Sequence, residues 1–164
     1  MSEATLVVRR ATAKDWAALR SIRLEALLDT PDAYGSTYEA VVTYPEEQWR
    51  TMVEHSVYFL AERDGRVVGM VSGGLNDQHP GTRWLYGIYV TPGSRGSTVA
   101  PGLVAAVVEW ARAEGASDLY LHVTSSVLRA KAFYEKMGFS PTGERQTMQR
   151  DRRLTLLTMS KRLD

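Results

Sequence analysis

Cysteine is absent from this chain of 164 residues. That removes disulfides, thiolate metal ligands and a cysteine nucleophile together. A basic surplus is also missing: 20 Lys and Arg stand against 19 Asp and Glu, a formal net charge of +1. Dedicated DNA- and RNA-binding domains carry a strong basic excess, so nucleic acid is not expected as a partner. No run approaches the ~18 apolar residues of a membrane-spanning helix. The apolar stretch near the N-terminus is too short for a signal peptide. A soluble, cytoplasmic protein is the expectation. The histidines at positions 55, 79 and 122 lack metal-ligand spacing, so no metal site is expected. A Walker lysine motif and a Gly-x-Ser-x-Gly elbow are both missing, which leaves kinase and serine-hydrolase chemistry without support.

What is present is an ordinary globular composition, 44% apolar, over a length that fits one domain spanning residues 1–164. Thr5 to Arg9 predicts a first strand. Thr12-Ala-Lys-Asp15 has capping-box spacing, with Asp in the Glu position. Trp16, Leu19, Ile22, Arg23, Ala26 and Leu27 then recur at helical spacing. Thr30-Pro31 ends that helix near Asp29. Ala33 to Thr43 reads as a loop carrying Tyr34 and Tyr38, and Pro45 opens a second short helix. Val57–Arg63, Asp64-Gly65 and Arg66–Ser72 form a hairpin signature. Arg83 to Val90 predicts a strand whose internal Gly87 marks a bulge. A helix follows from about Thr98 to Glu114, with Val99, Leu103, Val107 and Trp110 on one face. Asp118–Thr124 reads as a strand, and Val127–Met137 as a helix stopped by Gly138. Two closing strands are expected near Phe139–Gln146 and Arg153–Lys161. The order predicts an α/β (α+β) protein built on a mixed sheet.

The stretch from Leu85 to Leu103 is the most informative one. A strand runs into a turn rich in Pro, Gly and Ser, and then into an apolar helix. That arrangement aims the helix's first unpaired N–H groups past the end of the strand, where they and the helix dipole bind anions, phosphate above all. Arg95 in the turn adds a positive fork. A protein that grips a phosphate-bearing cofactor is the leading expectation.

The pattern Val90-x-Pro92-x-x-Arg95-Gly96-x-Thr98-Val99-Ala100-x-x-Leu103 resembles the acyl-CoA-binding motif of the GNAT N-acetyltransferases. Leu119-x-Leu121-x-Val123, followed by Ala130-x-x-Phe133-Tyr134-Glu135-Lys136-x-Gly138-Phe139, resembles the family's later strand and helix with its Tyr-Glu-Lys-x-Gly-Phe signature. The start, Arg9-Arg-Ala-Thr-x-x-Asp15, and the end, Leu157-x-Met159-x-Lys-x-Leu163, fit as well, so the resemblance covers nearly the whole chain. It implies a mostly antiparallel sheet of about seven strands flanked by about four helices, with the fourth and fifth strands splayed apart. It also implies acetyl-CoA as cosubstrate, an amine acceptor and a homodimer. Three positions depart from the family pattern. Thr98 replaces its first Gly, Val127 stands where many members carry Asn, and Pro101 removes one N–H.

The implied reaction is direct acyl transfer from a thioester to a primary amine, of a small molecule or of a peptide or protein N-terminus. The N–H groups of Arg95, Gly96, Ser97, Thr98, Val99 and Ala100 are the candidate pyrophosphate donors. The backbone from Ile88 to Val90 is the candidate oxyanion donor, given a bulge at Gly87. The resemblance puts Tyr134 in the role of general acid to the leaving thiolate. Taken alone, the same residue reads as a core tyrosine. The general base is open. Trp84 occupies the strand position where many members carry Glu, leaving Glu25, Glu39, Asp77, His79 and His122 as candidates. Tyr34 and Tyr38 either line the acceptor site or pack the loop. A deep acidic pocket would favour a polyamine or aminoglycoside acceptor, and an open groove a peptide. Thr98, Val127 and the missing base also support an alternative, a non-catalytic acyl-CoA-binding module.

Overall fold

The computed structural model describes residues 5–164; residues 1–4, the start of the expected domain, lie outside it. Strand β1 (Leu6–Arg10) leads into helix α1 (Trp16–Asp29), a one-turn α2 (Tyr38–Val41) and α3 (Glu46–His55). Then come β2 (Val57–Arg63), β3 (Arg66–Gly74), β4 (Arg83–Val90), α4 (Val99–Ala113) and β5 (Asp118–Thr124). The chain closes with α5 (Leu128–Lys136), β6 (Ser140–Thr147) and β7 (Thr155–Arg162). The sequence-based order holds, with one correction. The expected loop from Ala33 to Thr43 contains α2, because Thr37 accepts a hydrogen bond from the Ala40 N–H and caps a turn there.

The expected helix start at Thr12–Asp15 takes the form of a short 3-10 turn. The Asp15 carboxylate accepts from the Thr12 N–H at 2.8 Å and holds the Arg9 guanidinium through two bonds of 2.8 and 2.9 Å. Arg9 also reaches Glu62 on β2 at 2.8 Å. The first strand, the helix entry and the hairpin are therefore tied at one point.

The seven strands form one sheet in the order β1-β2-β3-β4-β5-β7-β6. Every neighbouring pair is antiparallel except β4 and β5, the two strands joined by α4. A parallel pair requires such a crossover. Pairing of β4 with β5 covers only Arg83–Leu119, Trp84–Tyr120 and Leu85–Leu121. Beyond Leu85 the two strands part, as the resemblance implies, and open a wedge in the middle of the sheet.

Each face of the sheet has its own core. Leu85, Leu119, Leu121 and Val123 point to one side, against Val99, Leu103, Val107 and Ala111 of α4 and Tyr134 of α5. Leu60, Met70 and Tyr89 point to the other, against Leu19, Ile22, Ala26 and Leu27 of α1 and Trp49 of α3. Trp110, expected on the inner face of α4, lies at its edge; its ring packs on β3 at Gly73, where a Cβ would come within 2.7 Å of it.

Candidate active site

The site is built where β4 and β5 separate. Gly87 is in the left-handed region (φ 57), a conformation that favours glycine. Opposite it the β3–β4 register slips: Met70 faces Tyr89, yet Ser72 faces Tyr86. The extra residue is the bulge that the sequence predicts. It turns Ile88 into a cavity of about 500 Å³ lined by residues of β3, β4, β5, α1 and α5. Tyr34 pins the bulge by donating its hydroxyl to the Ile88 carbonyl at 2.9 Å. Tyr34 lines the cavity and also packs the loop. Tyr38 only packs against the α1–α3 cluster.

Across the cavity, the β6–β7 loop and the end of β5 are strapped to the loop before α2. Arg150, between β6 and β7, donates to the carbonyls of Tyr34 at 3.0 Å and Pro31 at 2.6 Å. Thr124 at the end of β5 donates to the Asp32 carbonyl at 2.7 Å. These bonds hold the segment 31–34 over the open end of the wedge.

Tyr134 projects from α5 into this space. Its ring is buried between Phe133 and Phe139, and its hydroxyl has no hydrogen-bond partner among the described residues. Burial raises its pKa well above the ordinary tyrosine value, so the hydroxyl stays protonated. Val127, where the family pattern has Asn, also lines the cavity.

Among the five candidate bases, only His122 lines the cavity. Burial lowers its pKa, and His79 adds to the effect while Glu144 opposes it. Its imidazole is therefore neutral near pH 7 and able to accept a proton. The ring leans on Trp84 at a centroid distance of 4.7 Å. Trp84 itself is buried, donates its indole N–H to Thr82 at 2.7 Å and stacks on Tyr120 at 5.3 Å. Glu25 accepts the Tyr89 hydroxyl at 2.7 Å on the α1 side, away from the cavity. Glu39 and Asp77 are exposed, and His79 borders a smaller neighbouring cleft with Glu144. No Asp or Glu is among the described residues that line the main cavity, so it is not the acidic pocket a polycation would need.

At the far end of β4 the turn Thr91–Thr98 leads into α4. Gly96 is left-handed (φ 73), and residues 95–98 are exposed. The N–H groups of Gly96, Ser97 and Thr98 make no hydrogen bond to a described residue. Thr98 is the N-cap of α4, yet its hydroxyl makes no capping bond. Pro101 falls in the first turn, where its missing N–H has no intrahelical partner to lose. Val99 is buried, Ala100 half-buried. The Arg95 side chain turns back: Nε donates to the Val90 carbonyl at 3.0 Å, an Nη pairs with Asp29, and the guanidinium lies over Tyr89. Its pairing with Arg95 holds Asp29 below the usual carboxylate range. What the turn presents outward is main-chain N–H, the Thr98 hydroxyl and the start of a helix, a donor set suited to phosphate oxygens.

Sequence reasoning left one residue of the site without a role. Arg23 lies in the apolar stripe of α1, and its guanidinium lines the cavity beside Gly87. A cation recurring among Leu19, Ile22 and Ala26 is the signal that could have found it.

A wedge between parallel strands, a glycine bulge at its mouth and an exposed turn opening a helix together form the site. The model of the acetyltransferase (GNAT) family matches residues 16–139, which is more than half of the chain. The chain belongs to the GNAT family. Human N-acetyltransferase 8 is 36% identical over 93 residues, covering 54% of this chain and 40% of its own length. A mycothiol acetyltransferase from Beutenbergia cavernae is 28% identical over 126 residues, covering 77% and 40%. The chain thus spans about two fifths of the length of the curated relatives it matches. Among solved GNAT-fold structures, a ribosomal-protein-alanine N-acetyltransferase from Brucella melitensis superposes with a TM-score of 0.80 at 28% identity, covering 96% of this chain and 99% of its own. The yncA protein from Salmonella typhimurium, solved with acetyl-CoA, superposes with a TM-score of 0.81 at 23% identity, covering 98% and 95%. The GNAT fold therefore extends over the whole described chain.

Proposed function

We propose that this protein is an acetyl-CoA-dependent N-acetyltransferase that moves an acetyl group directly to a primary amine. The observation that carries the reading is the pairing, in one cavity at the β4–β5 wedge, of a protonated Tyr134 with a neutral His122. The outward N–H groups of Gly96, Ser97 and Thr98 and the Thr98 hydroxyl fit a pyrophosphate, with Arg95, Val99 and Ala100 framing the turn. Acetyl-CoA supplies the activated acyl carbon when bound.

His122 takes a proton from the acceptor ammonium and leaves the nitrogen lone pair free to attack. A C–N bond forms and the C–S bond breaks. The bulged backbone from Ile88 to Val90 is the candidate donor to the oxygen that gains charge. Tyr134 gives its proton to the departing sulfur, and the second proton, which the nitrogen sheds on becoming an amide, restores the Tyr134 hydroxyl. No described helix is long and apolar enough to cross a membrane. We place the enzyme in the cytoplasm, with an amine acceptor and a second copy of the chain as partners.

Tyr134→Phe is the first variant to test, by free-thiol release from acetyl-CoA over an amine panel. We expect kcat to fall on the order of 10²-fold with acetyl-CoA binding retained. The absence of a carboxylate from the described cavity lining favours a second reading, an acyl-CoA-binding module. It predicts binding without turnover on any amine and no consequence of Tyr134→Phe.

A further inference from the structure

Arg23 is the one arginine or lysine that lines the cavity, and Asp and Glu do not line it at all among the described residues. Its guanidinium lies over the Tyr34 ring at 5.0 Å. Tyr34, Tyr44 and Tyr58 are the titratable groups that face it, and no carboxylate is among them. No salt bridge and no hydrogen bond to a described residue engages it, although Arg9, Arg50, Arg95, Arg112 and Arg153 all pair with a carboxylate. A side chain that cannot lose its proton is therefore held half-buried in the cavity wall, with its fork of donors unmet by any described residue. Buried charges are ordinarily paired, because an unpaired one is costly. An anion brought in from outside would supply the partner that Arg23 lacks among the described residues.

Arg23 lies against the bulge: a Cβ placed on Gly87 would come within 3.1 Å of its Nη1. Such an anion would therefore be held beside the point where acyl transfer is proposed, on the same molecule as the attacking amine. The rest of the wall is apolar or neutral, from Met52, Met70, Leu75 and Leu156. We propose that the acceptor is a small amine that carries a carboxylate, an α-amino acid with an apolar side chain, and that Arg23 binds that carboxylate. This rests on the acetyltransferase reading above. It points away from polyamines and aminoglycosides, whose added positive charge would meet Arg23 with no carboxylate to offset it.

The test compares free amino acids with their amides. Leucine, methionine and phenylalanine are assayed against leucinamide, methioninamide and phenylalaninamide, with spermidine as the cationic control, by thiol release from acetyl-CoA. The same pairs are titrated calorimetrically into the protein without acetyl-CoA. The amide is expected to raise KM and Kd by about 10- to 100-fold, the range for a charge-assisted hydrogen bond. In Arg23→Gln the acid and the amide should become equivalent, and Arg23→Lys should restore part of the preference. Acetyl-CoA affinity, measured separately, should be unchanged in both variants, and their denaturant midpoints report that they are folded.

Turnover that prefers amides or spermidine in the unaltered protein overturns the assignment and leaves the acetyltransferase reading standing. A preference for acids that persists in Arg23→Gln overturns the role of Arg23. Loss of acetyl-CoA binding in folded Arg23→Gln assigns the guanidinium to the cofactor instead, and overturns it too. Failure of the unaltered protein to bind acetyl-CoA, or to turn over any amine, takes down the acetyltransferase reading and this proposal with it.

Discussion

His122 alternates along β5 with Leu121 and Val123, both committed to the α4 core, so its imidazole is left on the opposite face beside Trp84. That alternation is legible in the sequence; what it leaves unread is which of five scattered acids and histidines reaches the cavity, because that depends on strands far apart in the chain. Burial lowers the His122 pKa, and the sign of the consequence is fixed. A base with a depressed pKa keeps its accepting form below the ordinary histidine value of about 6.5. The kcat/KM profile should stay level down through that pH and fall only in more acid solution. His122→Gln should remove the acid limb and lower the rate at neutral pH. A limb that survives in the variant would assign the titration to another group. Arg23 was equally visible, as a charge within an apolar stripe, but its lack of a partner is a fact of three dimensions.

At the scale of elements, local chemistry set most boundaries. Thr30-Pro31 ends α1 at Asp29 and Gly138 follows α5, both as the sequence predicts, and Gly115 follows α4. The α2 turn escaped notice because a single capped turn of four residues has no periodicity to read. The entry to α1 is a direct test of how such local signals bear on stability. Asp15 caps the turn and pairs with Arg9, and that pairing pulls its pKa down to about 2. A carboxylate with a depressed pKa stabilises the fold above its unfolded value, and the contribution is lost as pH falls through the folded one. Asp15→Ala should cost about 0.5–2 kcal/mol at neutral pH, read from denaturant midpoints. The difference from the unaltered protein should shrink between about pH 4 and pH 2. A difference independent of pH would mean that the ion pair contributes nothing.

Across the whole molecule, the sheet is continuous at its ends and divided in its middle, and the division makes the site. The sequence announces the strands on both sides and the bulge at Gly87. It does not announce that segment 31–34 folds across the wedge, since Arg150 and Tyr34 are joined only by long-range contact. That strap should govern how well an acceptor is held. Arg150→Ala should raise the acceptor KM by roughly 10-fold, leave acetyl-CoA affinity intact, and speed hydrogen exchange in residues 31–36. Unchanged exchange there would show that the segment is held by Thr124 and the Tyr34 hydroxyl alone.

The central claim is that the turn after β4 receives the phosphates of an acyl-CoA whose thioester end enters the wedge. Calorimetric titration of the purified protein with acetyl-CoA, with Gly96→Val run beside it, tests this most directly. The account predicts micromolar binding at one site per chain, weakened severely where a β-branched side chain meets the left-handed conformation of residue 96. Absence of binding to the unaltered, folded protein would contradict it, and would mean that Thr98 and Pro101 close the turn to phosphate.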